Sequence, residues 1–225
     1  MGRRYQAVIF DWDGTLMDSQ AQIVHRMQNT FRHHQLPLPS PSSIRNIVGL
    51  SMEHALRKLA PDLDHSTVNA LIHAYRSGTY SSGPSTSELF PGVKTCLAYL
   101  HQQDFLLAVA TGKGRKGLDL DLITSGLQDY IVMSRCADET RSKPHPQMLE
   151  EILTDLNLAP DQAVMVGDTS YDIDMANSIG MDSIAVTYGM HDQTVLQKSN
   201  PQHLINDITE LQQLMLSDIY ECQNG

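Results

Sequence analysis

Five short apolar segments, most of them separated by helical patterns, restrict the fold of this chain more than any other feature of its sequence. From the second segment onward, one amphipathic pattern lies between each consecutive pair, as in the stretch 148–156. Strands and helices that alternate in this way form a parallel sheet with helices on both faces, and ligands bind at the carboxyl ends of its strands. We therefore predict an α/β fold whose buried strands are residues 5–10, 105–110, 130–133, 163–166 and 183–187.

The interval between the first two predicted strands differs from the rest of the chain. It has no convincing strand pattern, whereas Ile23, Met27 and Phe31 recur at the spacing of a helix with one buried face. The segment 81–87 consists of small and polar residues with Gly and Pro, which is typical of a linker. We therefore predict an inserted all-helical module at residues 17–87 and a core domain formed by residues 1–16 and 88–225.

The acidic composition limits the partners of the protein. Sixteen Lys and Arg residues against 26 Asp and Glu residues give a formal net charge of −10, and such a protein has little attraction for nucleic acid or an anionic membrane. We expect neither as a partner.

The apolar run before Asp11 is too short for a signal peptide or a membrane span. Cys96, Cys136 and Cys222 lack metal-site spacing, which favours free thiols and a cytoplasmic protein.

Two carboxylates follow the first predicted strand directly. Asp11 and Asp13 are two residues apart, so they face the same side of an extended chain, and a turn at Gly14 keeps both near the edge of the sheet. One carboxylate can attack a phosphorus atom, while the other protonates the departing alkoxide and later activates water. The alternatives at this point are a metal-binding turn and a solvated turn after a strand.

A second acidic motif follows the predicted strand 163–166. Asp168 comes directly after that strand, and Asp172 lies in the first turn of the next predicted helix. Magnesium is commonly held by one or two carboxylates, so Asp11 and Asp168 are the natural ligands. For Asp172, capping of the helix is an alternative explanation, because a helix N-terminus stabilises an anion there.

A carboxylate cluster of this kind needs positive charge. Two carboxylates repel by about 4 kcal/mol at 4 Å with an effective dielectric constant near 20. We select Lys143 as the compensating lysine, because Pro144 stiffens the loop that carries it. The alternative is an ordinary surface lysine.

A hydroxyl and a basic cluster follow the second predicted strand. Thr111 and the backbone amides after it can donate hydrogen bonds to phosphate oxygens. Lys113, Arg115 and Lys116 come next. We interpret these three cations as the solvated face of a helix and leave them out of the catalytic set.

In their order and positions at strand ends, these motifs resemble those of haloacid dehalogenase-like hydrolases. The insert after the first motif is similar to the helical cap of the phosphoglycolate-phosphatase type. The resemblance implies a Rossmann-like core with strand order 5-4-1-2-3, its first strand central, and a cap over the site. The residues that carry it are Asp11-x-Asp13-Gly14-Thr15, Thr111, Lys143-Pro144 and Gly167-Asp168-x-x-x-Asp172.

The resemblance further implies a magnesium site. Asp11 would be the nucleophile and a metal ligand, and Asp168 a second ligand. Asp172 would support the metal shell. Asp13 would be the general acid and base and would bind the metal through its backbone.

The resemblance also implies where a substrate binds. Thr111, the backbone of Gly112 and Lys143 would contact the phosphoryl oxygens. Gly49 and Ser51 belong to the candidate cap loop for contact with the leaving group, with an ordinary turn between helices as the alternative.

Departures from the family pattern narrow the chemistry. Dehalogenases of this superfamily lack the second acid and phosphonatases replace it, so Asp13 favours phosphoryl transfer. Relatives that resemble β-phosphoglucomutase carry an arginine where this chain has Met52, which cannot hold a second phosphate. Many relatives have asparagine at the position of Gly112.

We therefore predict a magnesium-dependent phosphatase that acts on a small phosphorylated metabolite through an aspartyl-phosphate. The alternatives are a phosphotransferase or mutase with the same intermediate and a catalytically inactive binding protein. The sequence indicates no oligomeric state.

Overall fold

The computed structural model describes residues 4–78 and 88–215 of the chain. Within these residues a parallel sheet is flanked by helices. The strands are β1 (Ala7–Phe10), β2 (Met17–Asp18), β3 (Glu88–Leu89), β4 (Leu106–Thr111), β5 (Ile131–Cys136), β6 (Ala163–Gly167), β7 (Asp182–Val186) and β8 (His203–Ile205). The helices are α1 (Gln20–His33), α2 (Pro41–Arg45), α3 (Met52–Leu59), α4 (His65–Ser77), α5 (Val93–Gln102), α6 (Arg115–Ser125), α7 (Gln147–Leu156), α8 (Ser170–Asn177) and α9 (Gln193–Lys198).

The main sheet has six strands in the order β5-β4-β1-β6-β7-β8. All of its strand pairs are parallel. Read from β7, the five strands that the sequence predicts follow the order 5-4-1-2-3 with the first strand inside the sheet, so the predicted fold class and strand order are confirmed. Strand β8 adds an edge strand that the sequence pattern does not predict, because its three residues form no apolar run.

The central strand β1 is buried along its whole length because helices cover both faces of the sheet. On one face Val8 and Phe10 pack into a cluster that contains Leu97 of α5. On the other face Ile9 packs into a cluster that contains Ile152 of α7. This double coverage explains why the strand is a continuous apolar run without alternation.

Helices α1 to α4 form a separate hydrophobic cluster. Its buried members include Phe31 of α1, Ile44 of α2, Leu56 of α3 and Leu71 of α4. The expectation that no strand occurs in this interval is wrong at its ends, because β2 and β3 pair antiparallel as Met17 with Leu89 and Asp18 with Glu88. Such short strands carry no recognisable pattern. The domain boundaries stay a prediction, and the predicted linker 81–87 lies outside the described residues.

Two further expectations concern export and cysteine chemistry. Within 4–78 and 88–215, no helix has both the length and the apolar character that crossing a membrane requires. Cys96 and Cys136 are buried free thiols, as expected, and Cys222 lies outside the described residues.

Leu97 provides a test of how the core is packed. Its side chain is fully buried, so Leu97→Ala should lower the free energy of unfolding by about 2–5 kcal/mol through lost contacts and a cavity. The matched control is Leu120→Ala on α6, where the leucine is 61% exposed and the change should stay within about 0.5 kcal/mol. Urea unfolding followed by circular dichroism measures both. Equal losses in the two variants would contradict this assignment of the core.

Candidate active site

Three neighbouring strands of the sheet deliver polar side chains to one edge. Asp11 follows β1, Thr111 ends β4, and Asp168 follows β6. The backbone N–H of Asp11 donates to the carbonyl of Val166 at 2.9 Å, which continues the pairing of β1 with β6 by one more bond. The carboxyl ends of these strands are therefore where the sheet brings the predicted site residues together.

A cluster of three carboxylates lies at this edge. Asp11, Asp168 and Asp172 each offer one oxygen, and these oxygens all lie within 4.8 Å of one another. All three side chains are buried. The predicted grouping of Asp11 with Asp168 is thus present in the structure, and Asp172 joins it from the first turn of α8.

Lys143 lies between two of these carboxylates. Its Nζ donates to Asp11 Oδ1 and to Asp172 Oδ1, both at 2.6 Å. The residue is 1% exposed, so it is not the surface lysine that was the alternative. Burial alone would lower the pKa of Lys143, but the charges of Asp11 and Asp172 raise it above the usual range. The ammonium therefore stays charged.

The remaining carboxylate oxygens differ in how they are held. Asp168 accepts from the Thr15 hydroxyl at 2.9 Å and from the backbone N–H of Met190 at 2.7 Å. Asp172 Oδ2 accepts from the N–H and the hydroxyl of Thr169, so Asp172 caps α8 and also binds Lys143. Among the described residues, Asp11 Oδ2 is buried without a hydrogen-bond partner. That oxygen is available to a metal or a substrate.

Gly14 makes the close approach of the first motif to Asp168 possible. Its φ of +95° lies in the left-handed region, and a Cβ at this position would collide with the Asp168 carboxylate. A side chain here would therefore push the two acidic motifs apart.

The cluster carries more negative charge than its lysine compensates. Three carboxylates and one ammonium would give −3 + 1 = −2 with all four groups ionised. Burial, opposed by Lys143, raises the pKa of Asp11 to about 7. Burial and the charges of Asp11 and Asp172 raise the pKa of Asp168 well above its usual range. A divalent cation bound to oxygen ligands fits this deficit in both charge and donor type.

The carboxylate of Asp13 is not a member of this cluster and has a different partner. Both of its oxygens accept from Lys113 Nζ, at 3.1 and 3.2 Å. The interpretation of Lys113 as part of a solvated helix face is therefore wrong, because it is partly buried and ion-paired, whereas Lys116 is exposed. Arg115 also has partners, namely Asp119 and Glu139.

Thr111 and Gly112 lie where the helical cluster meets the core. Thr111 is fully buried, and its hydroxyl oxygen accepts from the backbone N–H of Lys113 at 3.1 Å. A Cβ on Gly112 would lie 2.6 Å from the carbonyl oxygen of Gly49 and 2.9 Å from that of Leu50. Only a residue without a side chain lets this loop come so close to the end of β4.

Ser51 connects the same loop to the loop that carries Lys143. Its backbone N–H donates to Ser142 Oγ at 2.8 Å. Its own hydroxyl lies at the N-terminus of α3, 2.8 Å from His54 Nδ1, and caps that helix. The predicted role of Gly49 and Ser51 in substrate contact stays a prediction.

Tyr171 forms a further contact that sequence reasoning does not identify. This α8 residue donates through its hydroxyl to the carbonyl of Asn46 at 2.7 Å and accepts from Lys58 Nζ at 3.0 Å. Together with the Gly49–Ser51 loop, these contacts cover the site, and Asp11 is 1% exposed. A Tyr directly before Asp172 is the one sequence signal that could have indicated the contact.

Comparisons with known proteins agree with this geometry. A family model described as haloacid dehalogenase-like hydrolase matches residues 8–186. The chain is 34% identical over 210 residues to the probable phosphatase IndB of Dickeya dadantii (strain 3937), covering 91% of this chain and 90% of IndB. It is 33% identical over 190 residues to the tyrosine-protein kinase PtkA of Mycobacterium tuberculosis (strain ATCC 25618 / H37Rv), covering 84% of this chain and 64% of PtkA.

A solved structure shares the fold over nearly its full length. It is the crystal structure of a predicted phosphoglycolate phosphatase from Haemophilus somnus 129pt, with a TM-score of 0.83 and 22% identity, covering 94% of this chain and 98% of the other. The family match extends over more than half of the chain, and the motif carboxylates meet at the sheet edge. The chain therefore belongs to the haloacid dehalogenase-like hydrolase family and is an enzyme, a phosphoric monoester hydrolase, as its motifs predict.

Proposed function

We propose that the protein is a magnesium-dependent phosphatase that hydrolyses a small-molecule phosphate monoester through an aspartyl-phosphate on Asp11. The observation that carries the proposal is the buried cluster of Asp11, Asp168 and Asp172, two of which bind Lys143. The similarity to IndB, whose name is that of a probable phosphatase, supports the reaction class.

The metal proposal depends on the donor set of this cluster. All donors are carboxylate oxygens, which are the ligands that magnesium prefers, and Asp11 Oδ2 has no hydrogen-bond partner among the described residues. Asp11 and Asp168 would hold the ion, with Asp172 supporting them and Asp13 adding its backbone carbonyl. When bound, the ion supplies positive charge to the phosphoryl oxygens.

The first step transfers the phosphoryl group to the protein. A carboxylate oxygen of Asp11 forms a bond to phosphorus while the bond from phosphorus to the leaving oxygen breaks. Asp13 gives its proton to that oxygen, so a neutral alcohol departs. The Lys143 ammonium and the Thr111 hydroxyl would hold the equatorial oxygens, where charge stabilisation contributes most to phosphoryl transfer.

The second step restores the enzyme. Asp13, now a carboxylate, accepts a proton from water as the water oxygen bonds to phosphorus. The bond between phosphorus and the Asp11 oxygen breaks, and inorganic phosphate leaves. Asp11 is again a carboxylate and Asp13 again carries a proton.

The enclosure of the site favours a small substrate. The Gly49–Ser51 loop lies against Gly112 and Ser142, so this loop must lift for a substrate to enter. We further propose that the substrate is a small phosphorylated metabolite, that neither nucleic acid nor a membrane is a partner, and that the protein acts in the cytoplasm.

A phosphotransferase is the second candidate. The similarity to PtkA, whose name is that of a tyrosine-protein kinase, favours it. The first step would be the same, but a hydroxyl group other than water would attack the phosphorylated Asp11. Transfer of labelled phosphate to an added alcohol or sugar phosphate, compared with release of inorganic phosphate, separates the two reactions.

Asp11→Asn tests the nucleophile. Because an amide cannot form the phosphorylated intermediate, phosphate release from 4-nitrophenyl phosphate with magnesium should fall by at least about 1,000-fold. Asp129→Asn, at an exposed position, is the matched control and should keep full activity. Circular dichroism should show that both variants are folded. Substantial magnesium-dependent hydrolysis by Asp11→Asn would refute the assignment.

Metal removal tests the carboxylate cluster. A chelator should abolish hydrolysis and added magnesium should restore it. Asp168→Asn should raise the magnesium concentration needed for half-maximal activity by at least about 10-fold, because one oxygen ligand loses its charge. Calorimetric titration with magnesium measures the same loss without a substrate, with the exposed Asp174→Asn as control. Unchanged magnesium affinity in Asp168→Asn would exclude this residue as a ligand.

Gly112→Ala tests the closure of the loop. Its Cβ would collide with backbone atoms of Gly49 and Leu50, so the loop could not close fully and kcat/KM should fall by about 10-fold. Gly180→Ala is the control, because its φ of +69° strains the backbone for alanine while nothing lies within 4 Å of the new Cβ, so this variant can lose stability without touching the loop. Steady-state kinetics and thermal unfolding of both variants decide the outcome. A similar loss of activity in Gly180→Ala would attribute the effect to stability.

A further inference from the structure

Lys113 binds the carboxylate of Asp13 outside the three-carboxylate cluster. Its Nζ lies 3.1 and 3.2 Å from the two oxygens of Asp13 and 3.0 Å from Asp121 Oδ2. The side chains of Lys113 and Asp13 are 23% and 12% exposed, so water screens their ion pair only partly. Both carboxylate oxygens of Asp13 share this one cation.

The backbone of Lys113 is fixed on both sides. Its N–H donates to Thr111 Oγ1, and its carbonyl accepts from the N–H of Ala137, each at 3.1 Å. The side chain therefore starts from a defined point just beyond β4. This fixed origin limits the conformations from which the ammonium must reach Asp13.

The Lys113 side chain packs against helix α6. A Cβ at Gly117 would lie 3.3 Å from Lys113 Cε, so the glycine leaves room for the aliphatic stem. Asp121, one turn further along α6, accepts from the ammonium. Trp12 Nε1 donates to the same Asp121 Oδ2 at 3.0 Å. Because Trp12 directly precedes Asp13, the four side chains close a ring that begins and ends in the first acidic motif.

We propose that Lys113 is a positioning residue that holds the Asp13 carboxyl group in the orientation in which it exchanges protons with the leaving alcohol and with water. The inference depends on the proposed function, in which the Asp13 proton passes to the leaving oxygen as the phosphorus bond to that oxygen breaks. Proton transfer requires hydrogen-bond distance, so a carboxyl group that rotates freely loses rate. Lys113 acts through Asp13 and takes no part in the bonds that change.

A different role for Lys113 would be attraction of an anionic substrate. Its ammonium already lies between two carboxylates, Asp13 and Asp121, which offset its charge. A cation paired in this way offers little net attraction to an approaching anion. The contacts therefore favour orientation of Asp13.

The experiment compares substrates whose leaving groups differ in basicity. Lys113→Met keeps an unbranched stem and removes the charge, and Lys116→Met on the exposed side of α6 is the matched control. The value of kcat/KM is measured with 4-nitrophenyl phosphate, phenyl phosphate and glycerol phosphate, whose leaving groups are increasingly basic. Proton donation by Asp13 matters most for the most basic leaving group.

We expect Lys113→Met to lower kcat/KM by about 10- to 100-fold for glycerol phosphate and by less than about threefold for 4-nitrophenyl phosphate. Asp13→Asn should give the same selectivity with larger losses, and Asp121→Asn the same selectivity with smaller ones. Lys116→Met should leave all three values unchanged. Equal losses on all three substrates, or the same loss in Lys116→Met, would overturn the inference.

A measurement without a substrate keeps the inference separate from the proposed function. Thermal unfolding of Lys113→Met, Asp13→Asn and the double variant forms a double-mutant cycle. We expect the two changes to be non-additive, and additive changes would overturn the contact itself. Failure of the proposed function has another signature, namely absence of phosphate release by the wild-type protein from all three substrates while the cycle still shows coupling.

Discussion

Mutual repulsion of three buried carboxylates is the constraint to which the rest of the structure responds. Asp11, Asp168 and Asp172 would be strongly destabilising if left unpaired away from water. Hydrogen-bond donors offset much of this cost. Lys143 donates to two of the carboxylates, and backbone or hydroxyl groups donate to Asp168 and Asp172. One oxygen of Asp11 accepts no bond from the described residues, and it belongs to the residue to which we assign the attack.

The elements that hold the carboxylates also hold the covering loop. The segment that carries Lys143 also carries Ser142, which accepts from the N–H of Ser51. Helix α8 carries Asp172 toward the cluster and Tyr171 toward Asn46. A displacement of either element would disturb both the ion pairs of the carboxylate cluster and the contacts that hold the covering loop. Enclosure and partial charge compensation are thus two effects of the same side-chain placements, which fits a reaction whose transition state is stabilised by fixed charges while bulk water is excluded.

The sequence predicts the fold and the site best where a strand is buried on both faces and where a motif lies at the end of such a strand. The apolar run of β1 and the acidic residues after β1 and β6 are recognisable in the sequence, because helices cover both faces of the sheet and the motifs lie at the carboxyl ends of its strands. Strands β2, β3 and β8 have two or three residues and leave no periodicity to read. The sequence does not reveal the ion pairs of Lys113, because its neighbours along the chain are basic, whereas its partners are Asp13, 100 residues earlier, and Asp121 on the next helix.

The two acids of the first motif show how a single turn separates two chemical roles. Asp11 and Asp13 are two residues apart, yet one faces Lys143 and the other carboxylates while the second faces Lys113. The attacking carboxylate must reach phosphorus and the proton-exchanging carboxyl group must reach the leaving oxygen, so the two groups need different positions. The left-handed turn at Gly14 and the ring through Trp12 and Asp121 supply that difference. Lys113 and Asp121, which lie outside the recognised motifs, therefore help to give the two acids of the first motif different contacts.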